Sequence, residues 1–231
     1  MGVDGSSAVS EHPWRNAAAQ VFVDDLSAPE LSGADAHHLS RVLRLSEGER
    51  VCAADGKGGW RMCSLSSEVL ADVGDMHVEA KPTPTLTVGF AAPKGDRTEW
   101  AIRKLTEVGV DRIVVLRTER SVVRWQGSRA DKQLAKMHRW TLESARQCRR
   151  LWLPAIEIAS PTDLPSAVIA DAGGRRITTR DQQVLVGPEG GWANGEREGR
   201  EIVGLGEHVL RTETAAVVAG AAMVAERLWS D

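Results

Sequence analysis

Two short strings carry most of the chemical information in this sequence. Residues 184–192 read VLVGPEGGW, an apolar strand running straight into Gly-Pro-Glu-Gly-Gly. Pro188 fixes one torsion, while Gly190 and Gly191 permit positive φ. The expected product is a tight loop whose main-chain N–H and C=O groups no side chain obstructs. In an α/β sheet such a loop lies at the carboxyl end of a strand, where ligands bind. It has neither the lysine of a phosphate-binding P-loop nor the GxGxxG order of a dinucleotide fingerprint, so its ligand need not be held through phosphates. A plain turn is the alternative. Residues 210–220 read LRTETAAVVAG. A strand is expected to end at Leu210 or Arg211, with Thr212 or Thr214 capping a helix whose first turn offers free N–H groups. Ala215, Ala216, Ala219 and Gly220 let another backbone or a ligand come close. A tightly packed core helix explains those alanines but not the Arg-Thr-Glu-Thr on the entry turn.

The charged candidates cluster. Arg139, Glu143, Arg146 and Arg150 recur on one stripe of an expected helix, with Gln147 beside them. That stripe suits a polyanion, or equally a solvated face of Arg–Glu pairs. Lys94, Arg97, Arg120 and Arg124 fall at strand ends or loops, where the functional residues of such sheets gather. Residues 94–150 hold 15 Lys and Arg against 7 Asp and Glu, whereas the rest of the chain holds 14 against 25. One strongly basic third in a chain of net charge −3 points to a polyanionic partner. Trp125, Trp140 and Trp152 lie within or beside that third, serving either base stacking or the core. His37 and His38 have no third ligand nearby, so they imply surface or RNA contact rather than a metal.

The elements that must position these residues fall into two groups. From Gln20 to about Val78 the segments VFVDD, RVCAAD, WRMCSL and MHVEA read as short strands, with DGKGGW a hairpin turn. ADAHHLSRVLRL reads as one intervening helix, with Leu39, Val42 and Leu43 on its apolar stripe. This is a small mixed-β module, expected to be a barrel. KPTPT marks a boundary, giving a loose polar leader at 1–19, the β module at 20–80, a linker at 81–86 and a larger domain at 87–231. There, TLTVGFAAP, DRIVVLRT, PAIEIA, QVLVG and EHVLRT read as strands. TEWAIRKLTEVGV, with Gly109 as its stop, residues 131–151 and residues 214–228 read as helices. Strands alternating with helices imply an α/β domain with a mostly parallel sheet.

Composition sets the outer limits. The chain has 231 residues, 42% hydrophobic and 26% charged, an ordinary globular balance that argues against wholesale disorder. Cys52, Cys63 and Cys148 have no CxxC spacing, so neither a disulfide framework nor a cysteine zinc site is indicated. The longest apolar run, residues 215–225, is too short to cross a bilayer, and the N-terminus carries Asp4, Glu11 and no apolar stretch. A reducing cytoplasm is the expected compartment.

HHLSRVLRL, KGDRTEWAIRKLTEVGV, ERSVV, ESARQCRR, LVGPEGGW and LRTETAA occur here in the order seen in RsmE-type ribosomal RNA uridine methyltransferases, members of the SPOUT class, which this chain resembles beyond residue 20. The paired GPEGG and LRTETA strings are the specific part. The resemblance implies a PUA-like RNA-binding barrel followed by an α/β domain whose parallel sheet carries a deep trefoil knot. It also implies S-adenosylmethionine bound in the knot, a homodimer, and methylation of N3 of a uridine in small-subunit ribosomal RNA, within assembled small subunits. It carries over as cofactor contacts Leu185, Gly187, Glu189, Gly190, Gly191 and Leu205, then Leu210, Arg211, Thr212, Thr214 and Ala215. Two departures stand out. Glu143, Arg146, Gln147 and Cys148 stand where the family often has Glu-x-x-Glu-Gln-Ser, and Ala193 replaces the usual Ser or Thr. The segment ADAGGRRITTRDQQ, residues 170–183, matches poorly.

Uridine N3 is a poor nucleophile until its proton leaves. A carboxylate can accept that proton, with Glu143 the first candidate and Glu189 the second. Arginine cannot serve as base but can stabilise the uridinate oxygens, a role open to Arg211, Arg150 and Arg97. Phosphates would be met by Lys94, Arg97, Arg120, Arg124 and Arg150, with Arg41, Arg44 and His38 on the β module as a second contact. Methylation of another base or a ribose, a dimeric RNA-binding assembly factor without transfer activity, and a small-molecule α/β enzyme are the competing readings.

Overall fold

The computed structural model describes residues 12–123 and 125–229. It divides into two compact units, between Lys81 and Pro82.

The first unit is a mixed sheet. β1 (Ala19–Phe22) pairs in parallel with β2 (Arg50–Ala54), and β2, β3 (Gly59–Ser66) and β4 (Val69–Ala71) run antiparallel. β5 (His77–Val78) also pairs with β3, and among the described residues the pairing does not run on from β4 to β1. The DGKGGW turn forms because the Asp55 carboxylate accepts hydrogen bonds from the N–H groups of Lys57 and Gly59, at 2.6 and 2.9 Å. Val21, Leu39, Val51, Ala53, Cys63 and Leu65 form the core.

Two expectations fail here for identifiable reasons. The helix after β1 is α1 (Gly33–His37), capped by Ser32, and it widens at once into a π-turn over His38–Val42. The wider turn rotates the apolar stripe, so Leu39 is 1% exposed whereas Val42 and Leu43 are 60% and 44% exposed. The expected loose leader overlaps residues 1–11, outside the described residues. From Pro13 to Asn16 the chain instead forms a 3-10 turn, because Trp14 buries its ring against Trp60 at 5.1 Å.

The second unit is a six-stranded, wholly parallel sheet in the order β11-β9-β10-β6-β7-β8. Its strands are β6 (Thr87–Ala91), β7 (Arg112–Leu116), β8 (Ala155–Ala159), β9 (Val168–Arg175), β10 (Gln183–Val186) and β11 (Ile202–Val203). The helices are α2 (Arg97–Val108), α3 (Ser128–Gln147), the one-turn α4 (Asn194–Arg197) and α5 (Thr212–Trp229). Gly109 ends α2 at φ 103°, as its position suggests. The chain builds outward from β6 to β7 and β8, then returns to the other side and inserts β10 between β9 and β6. This change of direction opens a crevice beside β9 and the carboxyl end of β10.

Residues 82–86, expected to be linker, belong to this unit. The N–H of Leu86 donates to Asp111, and Arg227 donates to the Pro84 carbonyl. Asp111, 6% exposed at its side chain, holds Arg150 at 2.9 Å and Arg227 from α5. Two arginines on one buried carboxylate pin the last helix to the α2–β7 turn.

Candidate functional site

The site grows from the end of β10. Val186 closes the strand and Gly187 begins the GPEGG loop, where the N–H of Gly191 donates to the Pro188 carbonyl at 2.8 Å and Gly191 takes φ 71°. The indole of Trp192 folds back onto Gly187; a Cβ there would stand 2.9 Å from the ring, so only glycine fits. With Ala at position 193 no side-chain oxygen caps α4. Glu196 accepts from the N–H of Ala193 at 3.1 Å and from the N–H of Glu119 at 2.8 Å, joining this loop to the β7–α3 loop. Arg120 braces it further, donating to the Gly190 carbonyl at 3.2 Å.

The second string arrives from the far end of the chain. The Thr212 hydroxyl, on a residue 4% exposed, donates to the Gly187 carbonyl at 3.1 Å. Thr212 therefore ties α5 to the GPEGG loop, and the Arg211 carbonyl accepts the first helical bond, from Ala215, at 2.8 Å. The expected strand 207–212 is instead a bend and loop over residues 207–211, and Thr212 already opens α5. Val209, at its tip, is fully exposed.

Between the two strings lies a cleft of about 630 Å³. Of the residues expected there, Gly187, Glu189 and Gly191 line one wall, and Leu205, Leu210, Arg211, Thr212 and Ala215 line the opposite one. Leu185, Gly190 and Thr214 do not. Leu185 lies in the core, filling the space above Gly89. Sequence reasoning missed the third wall, Ala170, Asp171, Ala172 and Gly173 on β9, and the indole of Trp192. The segment ADAGGRRITTRDQQ, which matches the family poorly, shows no element in its sequence, yet its first part forms β9. In the sheet, Gly174 lets β9 pass so close to β11 that a Cβ would stand 2.3 Å from the Val203 carbonyl carbon.

The charged candidates separate sharply. Glu189 and Arg211 are exposed at the cleft. Arg97 stands between Glu189 and the buried Glu213, at 3.6 and 3.4 Å. Glu143 lies off the cleft on the exposed face of α3, paired with Arg103 at 2.6 Å. Arg150 is corrected outright as a contact for phosphate or uridinate. Its side chain is 11% exposed and spent on Asp111 and the carbonyls of Thr106 and Trp152, and burial draws its pKa below the ordinary arginine value. Lys94, and on the first unit Arg41, Arg44 and His38, are exposed. Arg124 lies outside the described residues. No group of three or more His, Cys, Asp or Glu suited to a metal occurs among the described residues.

The cleft at the end of β10 thus belongs to a parallel α/β unit, carried on one chain with a small mixed-β unit. Residues 79–224 match the RNA methyltransferase domain family and residues 31–68 match the RNA methyltransferase PUA domain family. The chain is 30% identical over 233 residues to the ribosomal RNA small subunit methyltransferase E of Mycobacterium bovis, covering 86% of this chain and 87% of that protein. The Bacillus subtilis enzyme of the same name is 27% identical, with 85% and 90% covered. The crystal structure of the Neisseria gonorrhoeae enzyme of that name, bound to S-adenosyl methionine, superposes with a TM-score of 0.74 at 28% identity, covering 91% and 98% of the two chains. The chain belongs to the ribosomal RNA small subunit methyltransferase E family, a SPOUT-type RNA methyltransferase domain combined with a PUA domain.

Proposed function

We propose that this protein transfers a methyl group from S-adenosylmethionine to N3 of a uridine in small-subunit ribosomal RNA, the uridine usually numbered 1498. The observation that carries the reading is the Thr212–Gly187 hydrogen bond, which joins the two diagnostic strings around one cleft. That cleft suits the donor. Its volume is within the ~300–1,000 Å³ usual for cofactor sites. Val186, Trp192, Leu205 and Leu210 offer an apolar seat for an adenine, and Asp171, Glu189 and Glu207 place negative charge near a sulfonium and an ammonium. Supplied by the donor is a methyl group on positively charged sulfur; as the N3–carbon bond forms, the carbon–sulfur pair stays with sulfur and leaves a neutral thioether.

The chain's own residues supply alignment and the proton's destination. Glu189, at the cleft mouth, takes the N3 proton, a role in which its position puts it ahead of Glu143. Arg211 faces the uracil oxygens as they gain charge. Lys94 on this unit, and Arg41, Arg44 and His38 on the PUA unit, meet phosphates. A knotted path is supported by the match to the RNA methyltransferase domain family and the SPOUT-like parallel sheet. A homodimer is supported by α5, which is apolar on its outer side as well, with Leu228 and Trp229 66% and 79% exposed. No helix among the described residues is long and apolar enough to cross a membrane. The cytoplasm, where ribosomal subunits assemble, is the compartment that fits the substrate.

Incubation of unmodified small subunits with the donor, followed by nucleoside analysis, tests the reading. 3-Methyluridine at one position is the expected product. Methylation of a ribose or another base transfers the assignment to that group, and donor binding with no product on any subunit or RNA ends it.

A further inference from the structure

The Arg97–Glu213–Glu189 cluster contains a mismatch that the proposed reaction, as described so far, does not use. Glu213 is buried, its side chain 8% exposed, and only Oε1 is paired, to Arg97 Nη1 at 3.4 Å. Its Oε2 is fully enclosed and has no hydrogen-bond partner among the described residues. A buried carboxylate oxygen without a donor is left desolvated and uncompensated, which is unfavourable. The donor that would satisfy it is adjacent. Arg97 uses Nε on the Lys94 carbonyl at 3.1 Å and shares Nη1 between Glu213 and Glu189, while Nη2 makes no hydrogen bond among the described residues. The spare donor and the spare acceptor thus belong to two side chains already in contact. Guanidinium and carboxylate prefer the two-bond fork arrangement, and the pull of Glu189 on Nη1 opposes it here.

We propose that Glu213 is a positioning residue. It anchors Arg97 at the cleft mouth and accepts it in full, Nη1 and Nη2 on the two carboxylate oxygens, when an incoming uracil draws Glu189 away. In the resting arrangement Arg97 neutralises Glu189 and occupies it. In the loaded arrangement Glu189 is released to accept the N3 proton, and Arg97 keeps its charge compensated by Glu213. The handover keeps one guanidinium paired throughout and moves no charge into the open. It rests on the reading of Glu189 as proton acceptor.

Single-turnover methylation of small subunits by the full-length protein, with donor affinity measured separately, tests it through a double-mutant cycle. Glu189→Gln is expected to slow the chemical step about 100-fold, as loss of a general base does. Glu213→Gln keeps the shape, leaves Arg97 with Glu189 alone, and is expected to slow the step about tenfold with donor affinity and subunit KM within twofold. In the Glu189→Gln background, Glu213→Gln should add less than a twofold loss, because the route it serves is already closed. Arg97→Lys, which cannot form a fork, should match Glu213→Gln and covers the case in which that variant folds poorly. Equal losses from Glu213→Gln in both backgrounds overturn the handover and leave Glu189 as base intact. Near-normal turnover of Glu189→Gln removes the base assignment and the handover together, while the nucleoside product still reports on the methyltransferase reading.

Discussion

Replacing Thr212 with valine tests whether the two strings must be tied for the cleft to work. Valine keeps the β-branched shape in a site 4% exposed and deletes only the hydroxyl that donates to the Gly187 carbonyl at 3.1 Å. The stranded carbonyl should cost about 1–3 kcal/mol. If the whole cost falls on the loop arrangement that holds the donor, the apparent Kd rises about 5- to 150-fold, since each ~1.4 kcal/mol is tenfold. Whatever falls instead on global stability lowers Tm by about 2–4 °C per kcal/mol for a chain of this size. The expected result by titration calorimetry and thermal melting is a Kd for S-adenosylmethionine at least fivefold weaker with a Tm loss of a few degrees. Thr212→Ser, which restores the oxygen, should bind within about twofold of the parent. Donor binding by Thr212→Val within twofold of the parent refutes the reasoning, whatever its Tm; so does a serine variant as weak as the valine one.

Other outcomes follow from the same geometry. Asp111→Ala strands two buried arginines and should destabilise the protein by about 3–5 kcal/mol, a Tm loss of roughly 6–20 °C; a loss under 2 °C would show that the cluster relaxes into solvent. Arg120→Ala should weaken donor binding about two- to tenfold through the lost Gly190 contact. Its salt dependence of subunit binding should stay unchanged, whereas a log–log slope reduced by about 1 would make Arg120 a phosphate contact after all. Arg175 holds the Asp181 carboxyl below the ordinary aspartate range through hydrogen bonds at 2.7 and 2.8 Å. A depressed carboxyl contributes stability that is present above its unfolded pKa and is lost as pH falls through the folded one. Melting temperature should accordingly drop as pH is lowered below about 4, and Asp181→Asn should melt lower at neutral pH with a shallower acid dependence. Equal acid dependence in both proteins would exclude this pair as a source.

Where one residue type has one physical reading, the chain is legible before folding. QVLV running into GPEGG is a buried strand meeting a loop that only glycine and proline allow, and it appears as β10 and the cleft wall. Gly109 after an amphipathic run ends α2 where expected. Legibility fails where tertiary neighbours decide. Residues 207–212 look like a strand, but the chain bends at residues 207–208 and Thr212 already opens α5, held to the Gly187 carbonyl. The glycines of β9 give no strand pattern in sequence, and their use shows only where β11 passes against Gly174. Arg150 completes a helical stripe of plausible RNA contacts, yet Asp111, 39 positions back along the chain, draws it inside. Glu213 sits within LRTETA, but the burial that leaves one of its oxygens unpaired has no signature in sequence.

The cleft's walls come from β9, the GPEGG loop and the start of α5, so they are synthesised in that order and the α5 wall comes last. A nascent polypeptide that has not yet delivered Thr212 has nothing to close against Gly187 and no donor seat. Capacity to modify ribosomal RNA therefore arrives all at once, after that threonine has left the ribosome, and a copy cut short before it is inert rather than partly active.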